Sequence, residues 1–147
     1  MSRQTLRVFT VLGALLLAAV SINAQTERTQ VTNIPFNFNV GNKTLPAGDY
    51  VVKPNRRGND GAWLVQSKDG RDSVLVNTRS MQASKTQKMT KLVFNKYGEQ
   101  YFLSQIWTDG SDSGRELPMR RQERELEKTI IAQQRTVVVI NGLAARD

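Results

Sequence analysis

The sequence predicts a mainly β fold: an antiparallel β-sandwich or flattened barrel of about seven strands, with one C-terminal helix. Two observations carry this. Short runs of alternating or β-branched apolar residues recur at hairpin spacing between turns rich in Gly, Asn and Asp. A single stretch, beginning at Pro118, instead spaces its apolar residues as a helix would. The chain has no cysteine, so packing and strand pairing alone must hold this fold.

Residues 1–24 read as a signal peptide. Arg3 and Arg7 form a cationic start, and Val8 to Val20 is apolar apart from Thr10 and Gly13. Ser21, Asn23 and Ala24 then lead to a cleavage point before Gln25. The 13-residue apolar run is short against the ~20 residues a membrane-crossing helix needs. The expectation is therefore a secreted or periplasmic protein without a transmembrane segment after cleavage. Residues 25–147 form a single β-rich domain of ordinary size.

In the mature chain, residues 25–30 are polar and expected to be loosely attached. Ile34, Phe36, Phe38 and Val40 alternate with Pro35, Asn37 and Asn39, which places four large apolar groups on one strand face. Pro35 cannot donate a ladder hydrogen bond, so that strand starts at an edge or carries a bulge. Gly41-Asn42 is a turn, and Leu45-Pro46-Ala47-Gly48-Asp49-Tyr50 is a second turn with Gly48 available for positive φ. Tyr50 to Lys53 is the second strand, and 54–61 a polar loop. Ala62 to Gln66 and Ser73 to Thr78 are strands joined across Asp69-Gly70. Ser80 to Lys88 lacks a hydrophobic pattern and reads as a surface loop. Thr90 to Asn95 and Gln100 to Thr108 are two more strands, joined through Gly98. In the second of them alternation puts Phe102, Ser104 and Ile106 on one face and Tyr101, Leu103, Gln105 and Trp107 on the other, as in a central strand.

Residues 109–114 read as a loop, and 118–133 as the helix, with Pro118 in its first turn and Met119, Leu126 and Ile130 on one stripe. Glu116 with Arg120, and Arg121 with Glu125, are spaced to pair at i,i+4. Thr136 to Ile140 is β-branched and closes the fold, ended by Asn141-Gly142.

The chemistry is bounded first by absence. The sequence has neither His nor Cys, which removes Ser-His-Asp and Cys-His nucleophilic systems and the common zinc sites. No phosphate-cradling glycine motif occurs. Catalysis by a carboxylate pair on a polysaccharide would survive these exclusions. However, Asp49, Asp60, Asp69, Asp72, Glu99, Asp109 and Asp112 fall mostly in turns, where aspartate usually serves the turn itself. Residues 109–114 imitate the start of a calcium loop, but Arg120 stands where its bidentate glutamate belongs. No cofactor and no metal is expected. Asn42-Lys43-Thr44 matches a glycosylation acceptor.

The net charge is +8, and +6 once Arg3 and Arg7 leave with the signal peptide. Arg115, Arg120, Arg121, Arg124 and Lys128 form the densest basic cluster and are the candidate anion-binding residues. Interleaved with Glu116, Glu123, Glu125 and Glu127, they also read as a solvated, salt-bridged helix face. Outside the cytoplasm, an anionic envelope polymer or another envelope protein is a better partner for them than nucleic acid. Trp63, Tyr97, Tyr101, Phe102 and Trp107 could form a sugar-stacking platform, but their strand alternation places most of them in the core.

Three strings occur together: Ile34-Pro35-Phe36-Asn37-Phe38-Asn39-Val40-Gly41, Leu45-Pro46-Ala47-Gly48-Asp49-Tyr50 and Tyr101-Phe102-Leu103-Ser104-Gln105-Ile106-Trp107. Gly114-Arg115-Glu116-Leu117-Pro118 follows before the Arg/Glu-rich helix. With these strings the chain resembles a group of uncharacterised small secreted β-rich proteins common in acidobacteria. The resemblance covers most of the mature chain and implies no activity and no site residues. The expected role is an exported, non-enzymatic envelope or extracellular binding or structural module. The alternatives are a carrier of a small apolar ligand inside a β-barrel and, third, a carboxylate-based polysaccharide hydrolase.

Overall fold

The computed structural model describes residues 31–57, 61–130 and 136–142. The expected signal peptide, residues 25–30 and the chain end 143–147 lie outside the described residues. The described residues form two sheets and one helix, and these sheets do not close into a barrel. It is a β-sandwich.

The first sheet is antiparallel and contains β1 (Val31–Ile34), β4 (Gly48–Pro54), β5 (Ala62–Ser67) and β6 (Ser73–Asn77), in that order. The second runs β11 (Thr136–Asn141), β8 (Lys91–Tyr97), β9 (Gln100–Trp107), β10 (Ser113–Glu116) and β7 (Arg79–Gln82), all antiparallel. A hairpin of β2 (Phe38–Val40) and β3 (Lys43–Leu45) joins it through one parallel pair, Asn39 with Phe102. Among the described residues there are thus eleven strands where about seven were expected, and the split first strand, β7 and β10 each have a local reason.

Pro35 splits the expected first strand. Lacking an N–H, it ends β1, and the chain crosses to the other sheet before β2 begins. The alternating apolar set still goes inward: Ile34, Phe38 and Val40 are buried and Phe36 packs against them. β7 lies mostly within Ser80 to Lys88, expected to be a loop. Its ladder with β10 is made by backbone, and Arg79, Ser80 and Gln82 are exposed, so no hydrophobic pattern marks it. β10 lies partly in another expected loop. There Gly114 is required, because a Cβ would come within 2.6 Å of the Trp107 ring. Gly98 turns the β8–β9 hairpin at φ +59, as expected, whereas Gly48 is not among the positive-φ glycines and simply starts β4.

The layer between the sheets is an aromatic-centred core. Tyr50, Trp63, Val65 and Val76 face Phe38, Leu92, Phe94, Leu103 and Ile106. Phe94 meets Phe36 and Phe38 edge-on at 5.2 and 5.5 Å, and Phe36 stacks on Tyr101 at 3.8 Å. Contacts of this type add ~0.5–1.5 kcal/mol each beyond burial. The Tyr50 hydroxyl donates to the Pro46 carbonyl at 2.7 Å. Burial pushes its phenol pKa up, and the carboxylates of Asp72 and Asp69 push it further. The Trp63 indole N–H is buried without a hydrogen-bond partner among the described residues.

A bulge corrects the expected facing of β9. Val93 pairs with Gln105 but Phe94 pairs with Leu103, so Ser104 is the extra residue. It puts Leu103 on the inner face with Ile106, and sends Phe102 to the outer face with Trp107. The Ser104 carbonyl accepts the Leu117 N–H at 2.8 Å, continuing the β9–β10 register one residue past Glu116.

The helix, α1 (Arg121–Ile130), starts at Arg121 rather than at the expected 118; its expected end at 133 lies outside the described residues. It starts late because Leu117 is tied to Ser104 and, standing before Pro118, disfavours helical backbone. Met119 therefore precedes the helix. Among the described residues no helix is long and apolar enough to cross a membrane.

Candidate functional site

The geometry of β9 creates the site. One edge of this strand is shared: residues 105–107 pair with β10, and Phe102 pairs with β2. β10 runs antiparallel to β9, so the chain leaving it at Glu116 emerges beside the β2–β3 hairpin. Residues 118–122 then lie across from residues 39–44, and an open groove of about 530 Å3 separates them.

Arg120, Arg121 and Arg124 line one wall of this groove, and Lys43 with Asn39, Asn42 and Thr44 lines the other. No carboxylate is among these lining residues. Lys43 pairs with Asp72 at 3.3 Å, whereas none of the three arginines is in an ion pair with a described residue. Asn39 is fixed as part of the wall, donating to the Tyr101 carbonyl at 3.2 Å and accepting from the Thr44 hydroxyl at 2.6 Å. The helix begins on this wall, with the Arg124 N–H donating to the Arg120 carbonyl at 3.0 Å. Its positive macrodipole end therefore adds to the arginine charge.

The expected basic cluster is thus partly assembled and partly dispersed. Arg115 is half-buried in the β7–β10–β9 ladder, and Lys128 lies a turn beyond the groove, paired with Glu125 at 3.4 Å. Lys43 and the hairpin donors are the contribution that sequence reading missed. They lie nearly eighty residues from the arginines, and only the parallel Asn39–Phe102 pair brings them near. Neither expected i,i+4 pair forms among the described residues. Glu116 belongs to β10, not to a helix, and Glu125 takes Lys128 at i,i+3.

Glu123 corrects the reading of a solvated acidic face. It is 5 % exposed, and its carboxylate accepts from the Asn95 amide at 2.8 Å and the Tyr97 hydroxyl at 3.4 Å. The first turn of α1 thus turns its acidic residue into the protein and leaves its arginines on the groove.

A second open groove, also about 530 Å3, is lined by Asp49, Asp69 and Asp72 with Tyr50 and Lys68. Each carboxylate here has a structural task. Asp49 accepts from Asn33 at 2.8 Å, Asp72 holds Lys43, and Asp69 accepts from the Ser67 hydroxyl at 2.6 Å and the Arg71 N–H at 3.1 Å. The Ser67 bond, then the Arg71 bond, lower the Asp69 pKa, the opposite of what a general acid needs. The aromatic residues are core, as expected: Trp63, Tyr97, Phe102 and Trp107 are buried, and Tyr101 is half-buried on Phe36.

Comparison with protein-family models, curated proteins and solved structures finds no match to this chain.

Proposed function

We propose that this protein is an exported, non-enzymatic binding module of the cell envelope or extracellular space, and that the groove between the β2–β3 hairpin and the start of α1 holds an anionic polymer. The observation that supports this most is the composition of the groove, four cations and no carboxylate. Three of those cations sit beside the positive end of a helix, where charge of that sign costs ~0.3–1 kcal/mol each at an exposed site. A bound anion relieves that cost. The groove is open to solvent, which suits a chain better than an enclosed small molecule. Export is the expectation set by residues 1–24, and it directs attention to acidic polysaccharide rather than nucleic acid.

The interior supports a binding surface over a carrier. Large side chains fill the space between the sheets, and the two large grooves lie at the surface with polar and charged walls. The carboxylates of the acidic groove are engaged in turns and pairs, which supports a non-enzymatic role. Replacing Arg120, Arg121 and Arg124 together with Gln tests the proposal. The salt concentration needed to elute the protein from an immobilised polyuronate should fall well below that of the unaltered chain. Equal elution would overturn the reading, and undiminished capture of an acidic protein alone would redirect it to a protein partner.

A further inference from the structure

The segment that carries the groove arginines is held from behind at two points. At one end the Leu117 N–H donates to the carbonyl of the Ser104 bulge. At the other, Glu123 reaches inward to Asn95 and Tyr97 of β8. A small polar cavity of about 160 Å3 lies behind the segment, lined by Arg79, Asn95, Ser104, Glu116 and Glu123 among others. Pro118 and Met119 border both that cavity and the groove, so the segment is a partition between them. Its packing is mixed: Leu117 joins the apolar core, whereas Glu123 is buried with polar partners. A buried carboxylate costs free energy unless it is hydrogen-bonded, so the bonds from Asn95 and Tyr97 are what make the inward position of Glu123 tenable, on a helix that also turns Leu126 and Glu127 partly inward.

We propose that Glu123 is the positioning residue of the arginine groove. Its buried carboxylate, bonded to Asn95 and Tyr97, fixes the first turn of α1 so that Arg120, Arg121 and Arg124 face the β2–β3 hairpin. Glu123 touches no ligand and acts through the helix. This rests on the reading of the groove as the binding site, but the anchoring itself is tested without any ligand.

Hydrogen exchange of the Arg124 amide, compared with the amides of β8, reads the anchor. In Glu123→Ala the Arg124 amide should exchange at least tenfold faster while β8 is unchanged. Glu123→Gln keeps an acceptor oxygen for Asn95 and should stay within about threefold of the unaltered chain. Asn95→Leu removes the link from the sheet side and should reproduce the Arg124 effect. Unchanged exchange in Glu123→Ala and Asn95→Leu, or equal acceleration at α1 and β8 in both, overturns the proposal. In the same variants, elution from immobilised polyuronate should need less salt, with Glu123→Gln restored. A loosened helix with unaltered elution overturns the link from anchor to groove. If the unaltered chain does not bind polyuronate at all, the functional reading fails while the exchange result still decides the anchor.

Discussion

The two faces of the β8–β9 pair are built on different physics. The inner face is an apolar layer in which Leu92, Phe94, Leu103 and Ile106 meet the other sheet. The outer face is also buried, but it mixes Tyr97, Phe102 and Trp107 with the polar Asn95 and, from α1, Glu123. Apolar burial is strong and tolerant of direction, so it holds the sandwich together. Hydrogen bonds to a buried carboxylate are directional, so they set where the helix and its arginines lie. The contrast separates the part that gives stability from the part that gives a site its shape.

The largest effect should come from the inner face. Phe94→Ala removes a ring touching Phe36 and Phe38 and should cost about 3–5 kcal/mol in urea unfolding. A loss under 1 kcal/mol would mean that the inter-sheet layer does not carry the fold. On the outer face, Gly114→Ala drives a methyl into the Trp107 ring and should cost about 1–3 kcal/mol, with a change in Trp fluorescence. Next, Tyr97→Phe removes one donor to Glu123 and keeps the ring. It should cost about 0.5–1.5 kcal/mol while polyuronate elution shifts more than in Phe94→Ala at a temperature where both are folded. The reverse order would erase the distinction between the faces.

The smallest effect belongs to neither face. The Asp69 carboxyl binds its proton less tightly in the folded chain than in the unfolded one. It therefore adds stability above the unfolded value, ~4, and loses it as pH falls through the lower folded value. Asp69→Asn should accordingly be slightly less stable than the unaltered chain at pH 6, with the gap closing as pH falls below about 4. A gap that widens on acidification would contradict the assigned hydrogen bonds.

Much of the sandwich was legible because period-two patterns report burial directly: Ile34, Phe38 and Val40 are buried despite the break at Pro35. What could not be read were elements defined by backbone. β7 exposes most of its side chains, and the Ser104 bulge leaves no mark in composition yet exchanges the faces of Phe102 and Leu103. The site was half legible. Arginines adjacent in sequence were evident as a cluster, whereas Lys43 enters through a long-range strand pair, and Arg115 is withdrawn into a ladder. Glu123 stands four residues after Met119 and three before Leu126, on the stripe read as apolar, so helical spacing marked it as the acid to turn inward; its charge and its arginine and glutamate neighbours masked that signal.

Placement rather than total charge is the central claim, and a charge-matched comparison tests it. One variant replaces Arg120, Arg121 and Arg124 with Gln; the other replaces the exposed Lys85, Lys88 and Lys128, so both lose the same three charges. Titrated with soluble polyuronate at fixed ionic strength, the first should bind at least tenfold more weakly than the unaltered chain and the second within about threefold of it. Equal weakening in the two would show that net charge alone draws the polymer, and the groove account would be wrong.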